Sequence, residues 1–382
     1  MKCKSISTIN IDPFEAGLEI GETLKSIAPE AIILLASVHY ADFTELYEGI
    51  YSGLETEDVQ IIGGTGDGFY ETNRVENVGV CAMGFHSAGK VKWHMEIEKN
   101  LQNRSYDAGK ACASRIRNAV GDDARLVFLF AGLSADGTKM VEGVRSELSI
   151  PCVGGLTGDD RSYQRGIVLA NGKMYEDAIG MLCMSGDFPF KISLASGWQP
   201  IGEAAIVEDC EGNKINKISG VSTAEFITKQ FGQPPSKADL GVITLAAYMD
   251  KESNEFVQRS PFKMDADTGA ITYFGSVDEG TPVKVCYATR DNVIKGVNEA
   301  IDKMSSLEFN PTCAVVISCA GRKWILGDRT HEEVEKLSAF LPKDLPLVGF
   351  PSYGEIAPLQ KDDGTYSGSY FHNVTYVVTL FG

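Results

Sequence analysis

Leu126-Val127-Phe128-Leu129-Phe130-Ala131-Gly132 is an unbroken apolar run ending in small residues, and beyond one helical segment it is followed by Pro151-Cys152-Val153-Gly154-Gly155. Ile, Leu, Val and Phe without polar alternation fit a strand buried on both faces, which needs helices or a second sheet as cover. The same pair occurs twice more. Ala31-Ile32-Ile33-Leu34-Leu35-Ala36-Ser37 precedes Val59-Gln60-Ile61-Ile62-Gly63-Gly64, and Ala314-Val315-Val316-Ile317-Ser318-Cys319 precedes Leu345-Pro346-Leu347-Val348-Gly349. Each pass closes with another apolar stretch, residues 78–85, 178–184 and 374–381. Repetition on this scale is a sign of duplicated architecture. The three strands are expected to end in glycine turns at Gly63, Gly154 and Gly349, which would form the walls of a pocket.

The covering helices are legible too. Asp12-Pro13 pairs a capping residue with proline at the first helical position, and Phe14, Leu18, Leu24 and Ile27 fall on one face. Residues 106–120 and 291–304 occupy the same place in the later passes, and 42–54, 136–148 and 331–341 supply the second helices. The expected fold is α/β (α+β), with two domains of mixed sheets covered by helices and three internal helix-strand-helix-strand repeats. At 382 residues the chain exceeds the usual size of a single core. The pattern breaks after Trp198 into short, turn-rich elements up to Tyr287, so the division is placed between Trp198 and Ile206, giving domains 1–200 and 201–382.

A formal charge of -17 and no lysine or arginine stripe argue against nonspecific binding to nucleic acid or to an anionic membrane surface. The N-terminus has no apolar core of signal-peptide length and no run reaches the span of a membrane helix, so the expected location is cytoplasmic. Nine cysteines are scattered without a C-x-x-C pair and read as reduced thiols packed as small hydrophobes. Five histidines lack metal-ligand spacing, and no metal site is expected.

Several separated stretches carry a family resemblance: Pro151 to Asp160, Gly197-Trp198-Gln199-Pro200-Ile201-Gly202, Ser318-Cys319-Ala320-Gly321-Arg322, Gly349 to Ile356, and His372-Asn373-Val374-Thr375. Together they resemble the signature stretches of FIST sensory proteins, N-terminal domain followed by C-terminal domain, from about Ala31 to the C-terminus. The resemblance implies a signal-input module that binds a small ligand such as an amino acid and is often fused or linked to a kinase, cyclase or chemoreceptor. Because the motifs reach within a few residues of Gly382, the expectation here is a stand-alone sensor that signals through a separate protein. No cofactor is expected from the residues. The resemblance also leaves open haem, since some FIST proteins without an attached output domain are associated with haem and nitric oxide sensing. In the first glycine segment Phe69 stands where the family has an acid, and Asp67, two residues earlier, is the candidate substitute.

The candidate ligand-binding residues are Cys319, Arg322, Tyr353, Gly354, Glu355, Asp159, Gly154, Gly155, Trp198, His372 and Asn373. A guanidinium three residues after Cys319 can lower the thiol pKa or hold a ligand carboxylate, while an acid such as Glu355 can hold an ammonium. The packing alternative for Arg322 is a tie to Glu355 or another acid. For Asp159 and Glu355 it is turn stabilisation, for Trp198 packing, and for His372 a structural hydrogen bond. Cys319 as the nucleophile of an enzyme is the reading from a different class.

Overall fold

Each of the three apolar strand pairs lies side by side and parallel at the centre of its own six-stranded sheet. The computed structural model describes residues 1–40, 42–72, 74–236, 239–249, 255–361 and 363–382. Edge to edge, the first sheet is Lys2–Thr8, Val80–His86, Ala31–Ser37, Gln60–Gly66, Val168–Ala170 and Lys173–Tyr175. The second, in matching order, is Val91–Lys99, Ala178–Gly186, Ala124–Ala131, Cys152–Leu156, Glu355–Gln360 and Tyr366–His372. The third is Phe190–Ala195, Tyr376–Phe381, Cys313–Cys319, Leu347–Ser352, Phe69–Glu71 and Arg74–Glu76.

The last two strands of every sheet form a hairpin borrowed from another pass of the chain. The first pass gives its hairpin to the third sheet, the second to the first, and the third to the second. The exchange is cyclic, so each sheet is completed by a neighbour.

Alternation along the central strands explains why they are apolar throughout. In Ala31–Ser37, Ile33 and Leu35 join the core enclosed by all three sheets, while Ile32, Leu34 and Ala36 face the helices. One phenylalanine from each sheet meets in that common core: Phe85, Phe128 and Phe381 have ring centroids 5.8–6.3 Å apart.

Helices cover the outer faces. α1 (Pro13–Lys25) and α2 (Phe43–Leu54) lie on the first sheet, and α3 (Ser105–Val120) and α4 (Gly137–Arg145) on the second. Asp12 caps α1 by accepting from the Glu15 amide at 3.0 Å. A fourth sheet, eight-stranded with every pairing antiparallel, is built within residues 199–287 and carries α5 (Thr223–Phe231). It enters the chain between Phe190–Ala195 and α6 (Arg290–Asp302), inside the third pass. α7 (Ala320–Leu326) follows Cys319 directly, and α6 and α8 (His331–Phe340) cover the third sheet.

The glycines at the repeated positions do not end their strands. Gln60–Gly66, Cys152–Leu156 and Leu347–Ser352 all run past them. Gly63, Gly154 and Gly349 sit opposite Leu34, Leu129 and Val316 of the parallel neighbour. A Cβ there would meet that residue's carbonyl oxygen at 1.7, 1.8 and 2.4 Å, so close strand approach accounts for all three.

Candidate ligand site at the junction

The family-like stretches converge where the three-sheet body meets the fourth sheet. Glu355 pairs in register with Gly155, and Ile356 with Gly154, which draws two of them into one ladder. Beside this ladder the Asp159 carboxylate organises its own loop. It accepts from the amides of Tyr163, Gln164 and Arg165 at 2.5–2.8 Å and from the Tyr353 hydroxyl at 3.1 Å. That hydroxyl in turn accepts from the Arg161 amide at 2.6 Å.

Asp67 joins the same cluster. Its carboxylate accepts from Trp324 Nε1 at 2.7 Å and from the Asp160 amide at 2.8 Å, and burial raises its pKa to about 6. Lys323 donates to the Asp67 carbonyl, and Arg161 lies 4.2 Å over the Trp324 ring. Tyr163 packs on both Trp324 and Tyr353. Trp324, Lys323, Tyr163 and Arg161 are absent from the sequence-derived set. Their only signal there is adjacency to motif residues.

Glu355 is fully buried in the next layer. Ser352 Oγ donates to one carboxylate oxygen at 2.7 Å, and the Thr375 amide and hydroxyl donate to the other, each at 2.9 Å. Burial outweighs these donors and lifts its pKa to about 7. The Cys319 thiol is also buried, and burial together with the Glu355 charge pushes it well above the ordinary value. The expected lowering by Arg322 does not occur, and a thiol held protonated is the opposite of an activated nucleophile.

Arg322 instead faces away, toward α8. It is fully buried, with Nε 2.8 Å from Glu333 and its other donors on the carbonyls of Ser196, Val293 (2.9 Å) and Val374 (3.4 Å). The acid it ties down is Glu333, not Glu355. Asn373 links the two parts of the molecule: its Oδ1 accepts from the Ser260 amide of the fourth sheet at 2.9 Å, and its Nδ2 is 3.5 Å from the Tyr353 carbonyl. The Gly354 backbone is held at φ +151, where a Cβ would strike the Phe371 ring at 2.3 Å.

The open space lies next to this buried joint. A pocket of about 350 Å³ is lined by Trp198, Gln199, Phe256, Gln258, Glu299, Lys303, Leu359, His372 and Thr375, among others. Trp198 is fixed by donating from Nε1 to the Val242 carbonyl at 2.8 Å. His372 Nε2 is 3.1 Å from the Ala357 carbonyl, and burial lowers its pKa to about 4, so the ring is neutral with that nitrogen as donor. Glu299 and Lys303 stand one helical turn apart, at the end of α6 and just beyond it, the Lys303 ammonium donating to the Leu194 carbonyl at 2.8 Å. Gln258 is held through Oε1 by Ser196 Oγ at 2.6 Å, and its buried Nε2 has no partner among the described residues. Thr375 connects the pocket to Glu355.

The structure thus gathers Tyr353, Gly354, Glu355, Asp159, Gly154, Gly155, Asn373 and Cys319 into a closed joint. It puts Trp198 and His372 on the pocket and turns Arg322 inward. No three potential metal-binding side chains group together among the described residues, and no helix among them is long and apolar enough to cross a membrane.

The joint thus lies between interleaved α/β sheets and an inserted antiparallel sheet. Residues 30–221 match the FIST N domain and residues 224–358 the FIST C domain. The chain belongs to the FIST family, whose domains are associated with small-ligand sensing in signal transduction. It is 24% identical to a protein of Methanocaldococcus jannaschii described as uncharacterized, over 90% of this chain and 73% of that one. Among solved structures it is similar to a cyanuric acid hydrolase from A. caulinodans at 8% identity and a TM-score of 0.36, covering 100% of this chain and 98% of that one. PurLQS from Thermotoga maritima gives 11% identity and a TM-score of 0.18, over 100% and 72%. Similarity this weak assigns neither a fold nor an activity.

Proposed function

We propose that this chain is a sensor module that binds an amino acid or a similar small zwitterion in the junction pocket and signals through a separate protein such as a kinase, cyclase or chemoreceptor. The observation that carries this reading is the presence of both Lys303 and Glu299, the latter also 3.8 Å from Lys295, on the wall of a pocket of about 350 Å³, beside Trp198 and His372. An ammonium and a carboxylate one turn apart complement the two charges of an amino acid, while Trp198, Phe256 and Leu359 offer apolar cover to its side chain. Lys303 takes the role that sequence alone gives to Arg322. A ligand held there would touch the three-sheet body through α6 and the fourth sheet through Phe256 and Gln258, so binding would bias how the two pack.

Calorimetry with the standard amino acids tests this. At least one is expected to bind the wild type, and Lys303→Met is expected to weaken it by about 1.5–3 kcal/mol, the loss of one charged hydrogen bond. Unchanged affinity in a folded Lys303→Met protein would remove the pocket from the account.

A further inference from the structure

The strand Phe256–Arg259 is a wall shared by two cavities. Phe256 and Gln258 line the junction pocket, whereas Val257 and Arg259 line a separate cavity of about 220 Å³ on the other face. The second cavity lies under α4, between Thr138, Val141 and Arg145 of that helix, the fourth sheet, and Tyr370 and Phe371 of the second sheet. It shares no lining residue with the junction pocket.

Arg259 is the unusual group in it. The residue is only 5% exposed, and no carboxylate of the described residues pairs with it. Its Nε reaches the Ser276 carbonyl at 3.3 Å, and its Nη1 the carbonyls of Gln258 and Phe371 at 3.0 and 2.9 Å. Its Nη2 has no hydrogen bond to a described residue, and the residue lines the cavity. Burial lowers the pKa only to about 10, so the group is a cation at neutral pH. Arg322, also buried, has Glu333 at 2.8 Å; among the described residues Arg259 has no carboxylate at ion-pair distance, only the more distant Asp136, Glu142 and Asp278. A buried charge without a partner is strongly unfavourable, and an incoming anion relieves it.

The surroundings set the class of anion. Arg145, 4.4 Å over the Tyr370 ring, adds a second cation to the lining, but Glu142 and Asp278 lie on the same wall, bridged by Lys139 at 3.0 and 3.5 Å. Asp136 is near as well, occupied with the amides of Thr138, Lys139 and Ser276. These acids disfavour a dianion such as phosphate. The volume is below that of a drug-sized pocket. We propose that this cavity is a second binding site, for a compact carboxylate, in which Arg259 Nη2 is the anchoring donor. The proposal is independent of the amino-acid reading of the junction pocket.

Titration calorimetry with acetate, glycolate and pyruvate as sodium salts, against sodium chloride, tests it on the full chain. The wild type is expected to bind at least one of them saturably. Arg259→Lys should weaken it about tenfold or more, because an ammonium cannot keep three carbonyls and still present a donor to the cavity. Val141→Phe fills the cavity with the cation intact and should abolish binding, whereas Lys303→Met should leave it unchanged. Circular dichroism establishes that each variant is folded. Absence of saturable binding to the wild type, equal binding by Arg259→Lys and Val141→Phe, or a loss confined to Lys303→Met would each overturn the proposal.

Discussion

At the scale of single residues, burial decides chemistry here more than sequence neighbours do. Arg322 and Cys319 are three residues apart, yet the guanidinium is committed to Glu333, and the thiol pKa is raised by burial and then by Glu355. Neither partner is adjacent in sequence. Glu355 gives this a measurable consequence. Its pKa is about 7 in the folded protein against an ordinary 4.5, so the folded state holds the proton more tightly than the unfolded chain. Its contribution to stability is complete below pH 4.5 and is lost as pH rises through about 7. Glu355→Gln keeps the shape of the neutral acid. Relative to wild type it is expected to gain on the order of 2–3 kcal/mol between pH 4.5 and pH 8, read from urea unfolding at both. A difference between the two proteins that does not change with pH would show that folding does not raise the Glu355 pKa.

At the scale of elements, backbone proximity sets the residue types. α1 and α2 touch through Gly17, Gly21, Gly49 and Gly53; a Cβ on Gly17 would lie 2.1 Å from the Leu46 carbonyl oxygen, and one on Gly49 2.1 Å from that of Phe14. The α3–α4 pair repeats the device with Gly109 against Met140 and Gly143 against Tyr106. Gly49→Ala is therefore expected to destabilise the protein by about 2–3 kcal/mol, although alanine is the better helix former. A thermal melt showing a neutral or stabilising change would mean that the helices separate freely.

The central strands were readable from sequence because burial on both faces leaves no polar position. The edge strands Lys2–Thr8, Val91–Lys99 and Phe190–Ala195 escape that reading, since their side chains are half exposed and mixed in character, as suits a sheet edge. α7 was hidden for another reason. It is a seven-residue helix directly after a strand, too short for a periodic signal, and it is the element that swings Arg322 away from the joint.

At the scale of the whole molecule, the cyclic exchange of hairpins locks three sheets together and leaves the fourth sheet as the part attached through a joint. Every candidate residue carried by the family resemblance lies at or near that joint. The resemblance therefore points to the joint, while the groups proposed to meet ligand, Lys303, Glu299 and Arg259, bear no motif. They become visible only when α6, α4 and the strand Phe256–Arg259 are placed in space. A small ligand is proposed to bind between body and fourth sheet. Hydrogen–deuterium exchange on the full chain, with and without a saturating mixture of the standard amino acids, tests it most directly. The account predicts slower exchange in segments 194–200, 256–258, 299–303 and 372–375, with the Phe85–Phe128–Phe381 core unaffected; unchanged exchange in all four segments would contradict it.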